Sequence, residues 1–157
     1  MNTEHPAKAC CVTGHRFIAP EKRDYVKSEL KKEILRAVED GYTHFISGFS
    51  EGVDLLFASI VADLSTKNAN LTLEAAIPYR GRLNTTNELF QQLLYKCCMI
   101  GIHGENFDRT CFFNRNRFMI SVSQRVIAVY DGREKGGTFF MMRYAYSKER
   151  DVRIIKI

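Results

Sequence analysis

Nowhere in this chain is an apolar run long enough to span a bilayer, and the opening stretch, MNTEHPAKACC, has no basic segment followed by an apolar one. Membrane insertion and secretion are not expected, and the chain reads as a cytoplasmic protein with no membrane partner. No CxxC occurs, and the five cysteines (Cys10, Cys11, Cys97, Cys98 and Cys111) are odd in number and include two adjacent pairs, unlike a disulfide framework. They read as reduced thiols in buried strands and helices; the alternative is a zinc site with some of His5, His15, His44 and His103. Also absent are a lysine-arginine block, a charged tail and a low-complexity tract, so nothing marks a dedicated nucleic-acid arm. No GKS or GKT completes a Walker loop, and GxGxxG is missing. Neither paired catalytic carboxylates, nor a Ser–His–Asp order, nor a metal-ligand cluster can be assembled, so no metal and no cofactor is expected.

What is present suits one domain of ordinary size, 1–157, with residues 1–7 expected to be flexible. Its 157 residues suffice to bury a core, and 45% hydrophobic with 26% charged residues is a soluble globular balance. The net charge of +5 is uneven: residues 1–80 carry 10 Lys+Arg against 11 Asp+Glu, residues 81–157 carry 13 against 7. A basic C-terminal half suits an anionic ligand or nucleic acid.

Patterning along the chain predicts strands alternating with helices. KACCVT (8–13) reads as a buried strand, and Pro20 opens a helix to about Asp40 with Val26, Leu30, Ile34 and Val38 on one face, ended by Gly41. THFIS (43–47) is the next strand, followed by a helix over 51–65 that is apolar nearly all round. LTLEAAIP (71–78) is a strand. Thr85 with Glu88 makes a capping box for the helix that carries Leu89, Phe90, Leu93 and Leu94. MIGI (99–102) and RVIAVY (125–130) are strands around a helix from about 112 to 123, and a helix from about Thr138 to Lys148 precedes the last strand, VRIIKI. The alternation implies an α/β fold, a mostly parallel sheet covered by helices on both faces. In such sheets ligands bind beyond the carboxyl ends of the strands.

Glycine and polar residues gather at those ends. Gly14, His15 and Arg16 follow the first strand; Ser47, Gly48, Glu51 and Gly52 lie at the end of the second; Asp131, Gly132, Gly136, Gly137 and Thr138 follow RVIAVY. In SGFSEGVD (47–54) the glycines permit tight turning, and freed N–H groups at the helix start can bind an anion. Glu51 would repel a phosphate on those same amides, so it reads as an acceptor for ribose hydroxyls or a base amine, or else as a helix-capping acid. Asp54 reads as a structural residue orienting the turn. GGT (136–138) is an anion nest with Thr138 as cap, and the phosphate is placed there. Arg16 can clamp a phosphate, while His15 is either a proton carrier or a hydrogen-bonding residue. Arg115 and Arg117, two apart in NRNR (114–117), fall on different helix faces, so only one of them is expected at the crevice.

In combination, CVTGHR, FISGFSEGVD, AAIPYRG, NRNRFMI and VIAVYDGREKGGTFFMMRYA resemble the SLOG superfamily, nearest its YpsA-like branch, in order and spacing from about residue 9 to 157. The resemblance implies a bacterial protein with a single Rossmann-like domain, whose glycine loops form a pocket for a nucleotide or derivative such as AMP, ADP-ribose or NAD. Related groups are the LOG, or lysine decarboxylase-like, phosphoribohydrolases, which cleave nucleoside 5′-monophosphates, and the DNA-processing protein DprA, which binds single-stranded DNA. The hydrolases carry GGxGTxxE, whose glutamate acts at the ribosyl centre. Here Thr138 matches the threonine, the glycine spacing before it is shorter by one, and Met141 stands in the glutamate position. A thioether can neither stabilise an oxocarbenium ion nor activate water. Only Glu51 is left as a substitute carboxylate, so binding is expected rather than cleavage. A nucleic-acid partner is the lesser alternative, and homo-oligomerisation is left open.

Overall fold

A computed structural model describes residues 8–157; the expected flexibility of residues 1–7, and His5 with them, lies outside the described residues. Six strands form one all-parallel sheet: β1 (Ala9–Thr13), β2 (His44–Ser47), β3 (Thr72–Ile77), β4 (Met99–Ile102), β5 (Arg125–Tyr130) and β6 (Asp151–Lys156). Their order is β4-β3-β2-β1-β5-β6, so the winding reverses between β1 and β5. Five helices connect them: α1 (Arg23–Glu39), α2 (Val53–Ser65), α3 (Glu88–Leu94), α4 (Cys111–Val122) and α5 (Gly137–Ser147).

The strands are apolar on both sides, and each successive residue feeds the opposite core. Cys10 and Val12 of β1 pack with α1, α2 and α3, whereas Ala9 and Cys11 pack with Met119 and Ile120 of α4 and Met141 and Ala145 of α5. This is the two-sided burial that parallel sheets require. The apolar circumference of α2 has the same cause, because the helix is enclosed by α1, α3 and the sheet, and nine of its residues are buried. Gly41 ends α1 at φ +93°, the left-handed position expected of it.

Two expected caps differ from what is found. The N-cap of α3 is Asn87, whose Oδ1 accepts from the Phe90 N–H at 3.0 Å. Thr85 is not that cap: its own N–H closes a 3₁₀ turn over Arg80–Asn84, which pushes the helix start beyond its reach, and its hydroxyl accepts from Asn87 N instead. Thr138 does not cap α5 either. Gly136 holds the N-cap place at φ 93° with no side-chain cap, and Thr138 is buried one residue inside the helix.

Candidate functional site

At the carboxyl ends of β1 and β5, where the winding reverses, the loops part around a cleft of about 320 Å³. Open α/β sheets place ligands at this point. One wall is the β1 exit. Gly14 packs against the start of α2 so closely that a Cβ would lie 2.5 Å from Val53 Cγ1. Gly52 meets the same loop from the other side: at φ +81° its Cβ would fall 2.4 Å from the Arg16 carbonyl oxygen. These two glycines fix His15 and Arg16 against the head of α2.

The opposite wall is the head of α5. Gly136 stands at φ +93°, and a Cβ on Gly136 or Gly137 would meet nothing within 4 Å, so the backbone here is open to the cleft. The first N–H groups of a helix have no partner within it and sit at its positive end. Arg16, Arg133 and Lys135, all exposed, stand around this opening. Free N–H groups at a helix head beside three cationic side chains can hold an anion.

His15 joins the two walls. Its Nε2 accepts from the Asp131 N–H at 3.2 Å and lies 3.4 Å from Asp131 Oδ1. Burial holds the imidazole below its ordinary pKa while Asp131 pulls the other way, so the ring is neutral and acts as a hydrogen-bond acceptor. Asp131 is occupied as well, accepting from Arg133 N at 3.1 Å and pairing with Arg133 Nη2 at 2.6 Å.

Arg115, only 4% exposed, lines the floor. Its Nη1 donates to the carbonyls of Gly48 at 2.6 Å and Ala76 at 3.1 Å, and its Nε to Asn116 Oδ1 at 2.8 Å. It is a brace between the β2 and β3 exits. Arg117 lies on the other flank of α4, over the rings of Phe113 and Tyr144. Beside Arg115 sits the buried carboxylate of Asp54, which accepts from Ser50 N at 3.2 Å. Burial pushes its pKa up to about 6 against the pull of Arg115.

The other residues singled out in the sequence fall around this centre. Ser47 is fully buried, donating to Asp54 O at 2.8 Å and accepting from Phe49 N at 3.2 Å. Gly48 lies beneath Arg115 and Asp54. Thr138 and Met141 line the cleft. Glu51 does not: it is exposed and lines a neighbouring hollow of about 470 Å³ with Tyr79, Arg82, Phe107 and Phe112. Gly52 and Gly132 are not cleft-lining, and Asp131 reaches the site through His15.

Sequence reading missed Ser50, Phe112, Asn116, Arg133 and Lys135. Arg133 and Lys135 lie within the quoted DGREKGGT and were legible as loop cations. Phe112 and Asn116 enter from α4, whose approach depends on chain crossing to the other sheet face after β4. Phe49, at φ 58°, is buried against Phe90 with ring centroids 5.3 Å apart, holding the β2 exit in a turn that side chains rarely adopt. Among the described residues no group of three or more His, Cys, Asp or Glu could hold a metal ion, and no helix is long and apolar enough to cross a membrane.

A doubly wound parallel sheet with a glycine-flanked cleft at its switch point defines the Rossmann-like class. Within it, the YpsA family model, described as the YspA SLOG family, matches residues 10–157, and the chain belongs to that family. It is similar to the UPF0398 protein SH1465 of Staphylococcus haemolyticus, with 25% identity over 150 residues, 87% of this chain and 80% of that protein. A UPF0398 protein of Bacillus pumilus is 26% identical over 127 residues, 77% of this chain and 68% of that one. Among solved structures, DNA processing protein A from Helicobacter pylori, studied for its single-stranded DNA binding mode, superposes with a TM-score of 0.68 at 20% identity. That match covers 95% of this chain and 65% of the other, so this chain spans just under two thirds of its length. TM1055 matches with a TM-score of 0.59 at 19% identity, covering 92% and 72%. These structural likenesses are of fold.

Proposed function

We propose that the cleft binds a nucleotide or nucleotide derivative and that the protein acts by binding rather than by cutting. The observation that carries this is the open backbone of Gly136 and Gly137 at the head of α5, ringed by Arg16, Arg133 and Lys135. A phosphate there would meet free N–H donors, the positive helix end and the side chains of Arg16, Lys135 and Arg133, the last already paired with Asp131. The adjoining hollow suits the nucleoside: Tyr79, Phe107 and Phe112 offer ring faces, and Glu51 offers an acceptor for ribose hydroxyls or a base amine. Gly14, His15, Gly48, Gly52, Arg115, Asp131 and Gly132 shape the loops around the ligand. Cleavage is not part of this reading, because Met141 lies in the cleft where the hydrolase pattern has its glutamate and Glu51 lies outside it.

A thermal-shift screen with AMP, ADP, ADP-ribose and NAD tests the reading. A ligand at 100 times its Kd stabilises the fold by about 2.7 kcal/mol. A rise in Tm with at least one of them is expected; no shift with any at millimolar concentration contradicts the reading.

A second reading, single-stranded nucleic acid, is favoured by the exposed rings of Phe107 and Phe113 among the arginines, and by the fold neighbour studied for that activity. It predicts oligonucleotide binding that weakens steeply with salt.

A further inference from the structure

A second groove opens between α4 and α5, about 240 Å³ in volume; Glu51 does not line it, and it shares Phe112 with the hollow that Glu51 lines. It is continuous with the cleft: Phe112, Asn116, Gly137 and Met141 line both. Its walls are apolar and aromatic, formed by Phe113, Phe140, Ile120 and Tyr144, and Phe113 and Phe140 are 53% and 59% exposed. Exposed rings at the mouth of a phosphate-binding cleft have an obvious occupant, the flat ring of the molecule whose phosphate sits beside them.

The polar groups in the groove restrict that ring. Arg109 and Arg117 can only donate. Asn116 turns its Oδ1 to Arg115 Nε at 2.8 Å, an orientation imposed by the guanidinium's lack of acceptors, so its amide N–H groups remain as donors. Tyr144 has the groove's one side chain able to accept, and no carboxylate lines it. The hollow lined by Glu51 differs in holding a carboxylate, a strong acceptor that the groove lacks, beside the donors Arg16 and Arg82.

We infer that the α4–α5 groove is a second ring site, so that the ligand is a dinucleotide: two heteroaromatic rings joined through a phosphate bridge over Gly136 and Gly137, an amino-bearing ring beside Glu51 and an oxo-substituted ring between Phe113 and Phe140. This rests on the phosphate assignment proposed above and adds the class of ligand. The bridge crosses the basic cleft, where Arg16, Arg133 and Lys135 balance its charge. The donors of Asn116, Arg109 and Arg117 meet the ring oxygens.

Isothermal titration of the whole chain with ADP, diadenosine diphosphate and its adenosine–hypoxanthine counterpart tests the inference. The two-ring compounds are expected to bind about tenfold or more tighter than ADP, as one added ring stack allows. The hypoxanthine compound should be the tighter of the two. Phe140→Ala, a change at an exposed side chain, should remove the two-ring advantage and leave ADP affinity unchanged. Equal affinity for ADP and the two-ring compounds overturns the inference, as does a two-ring advantage that survives both Phe140→Ala and Phe113→Ala. A preference for diadenosine over the hypoxanthine compound overturns the ring assignment. If Phe140→Ala instead dissolves a dimer of the chain and the ligand ratios stay the same, the groove is an interface between copies and the inference fails. Binding of none of the three compounds removes the phosphate assignment itself, whereas ADP binding without a two-ring advantage removes only the second ring site.

Discussion

Asp54 carries the sharpest consequence for a single residue. Its carboxyl is buried beside Arg115, and burial lifts its pKa from 3.8 to about 6. A folded-state value above the unfolded one means that the native protein binds the proton more tightly. Asp54 therefore contributes stability at low pH that is lost as pH rises from about 4 to about 6, on the order of 3 kcal/mol in all. Asp54→Asn should flatten the pH dependence of Tm across that window; an unchanged profile would show that Arg115 already compensates the charge. Gly52→Ala should cost about 1–3 kcal/mol, because it adds a methyl at a positive φ and drives it into the Arg16 carbonyl. Urea denaturation measures it, with a loss below 0.5 kcal/mol, about the ordinary scatter of surface substitutions, counting against the packing argument.

At the scale of elements, α5 separates stability from binding. Gly137 is the first residue of the helix and has open space where a side chain would project. An acid there favours the helix by about 0.3–1 kcal/mol through its dipole. The same charge repels a phosphate on the neighbouring amides, so Gly137→Asp should hold or raise Tm while weakening nucleotide binding. The start of α3 gives an independent check on its geometry: Asn87→Ala should cost about 1 kcal/mol and Thr85→Ala clearly less, measured by thermal denaturation. That pair also illustrates what sequence can and cannot show. Sequence patterning placed the six strands and the five α-helices, since burial against a sheet or another helix is written in residue spacing, but not the 3₁₀ helix over Arg80–Asn84. The α3 cap was misplaced because TTNE offers three residues of capping type, Thr85, Thr86 and Asn87, and the choice among them depends on the preceding 3₁₀ turn.

For the whole molecule, the crossing of the chain from one sheet face to the other between β4 and β5 decides what the site contains. The glycine loops at the strand ends were legible because strand exits converge on one edge of a parallel sheet. The contributions of α4 were not, since Phe112 and Asn116 reach the cleft only through that crossing, and Arg115 braces Gly48 from 67 residues away. Arg115 and Arg117 were legible as a pair with different faces, but not as a buried brace and a ring-stacked surface cation. Net charge follows the same division, with the basic half supplying Arg133 and Lys135 to the cleft. Binding of a phosphorylated ligand should accordingly weaken with ionic strength.

Everything proposed for this protein depends on a phosphate at the head of α5. Calorimetric titration of ADP into the wild-type chain and into Gly137→Asp, at one pH and low salt, tests it most directly. Saturable binding by the wild type and a loss of about tenfold or more in the variant are expected, with both proteins equally folded. Equal affinity in the two proteins would contradict it.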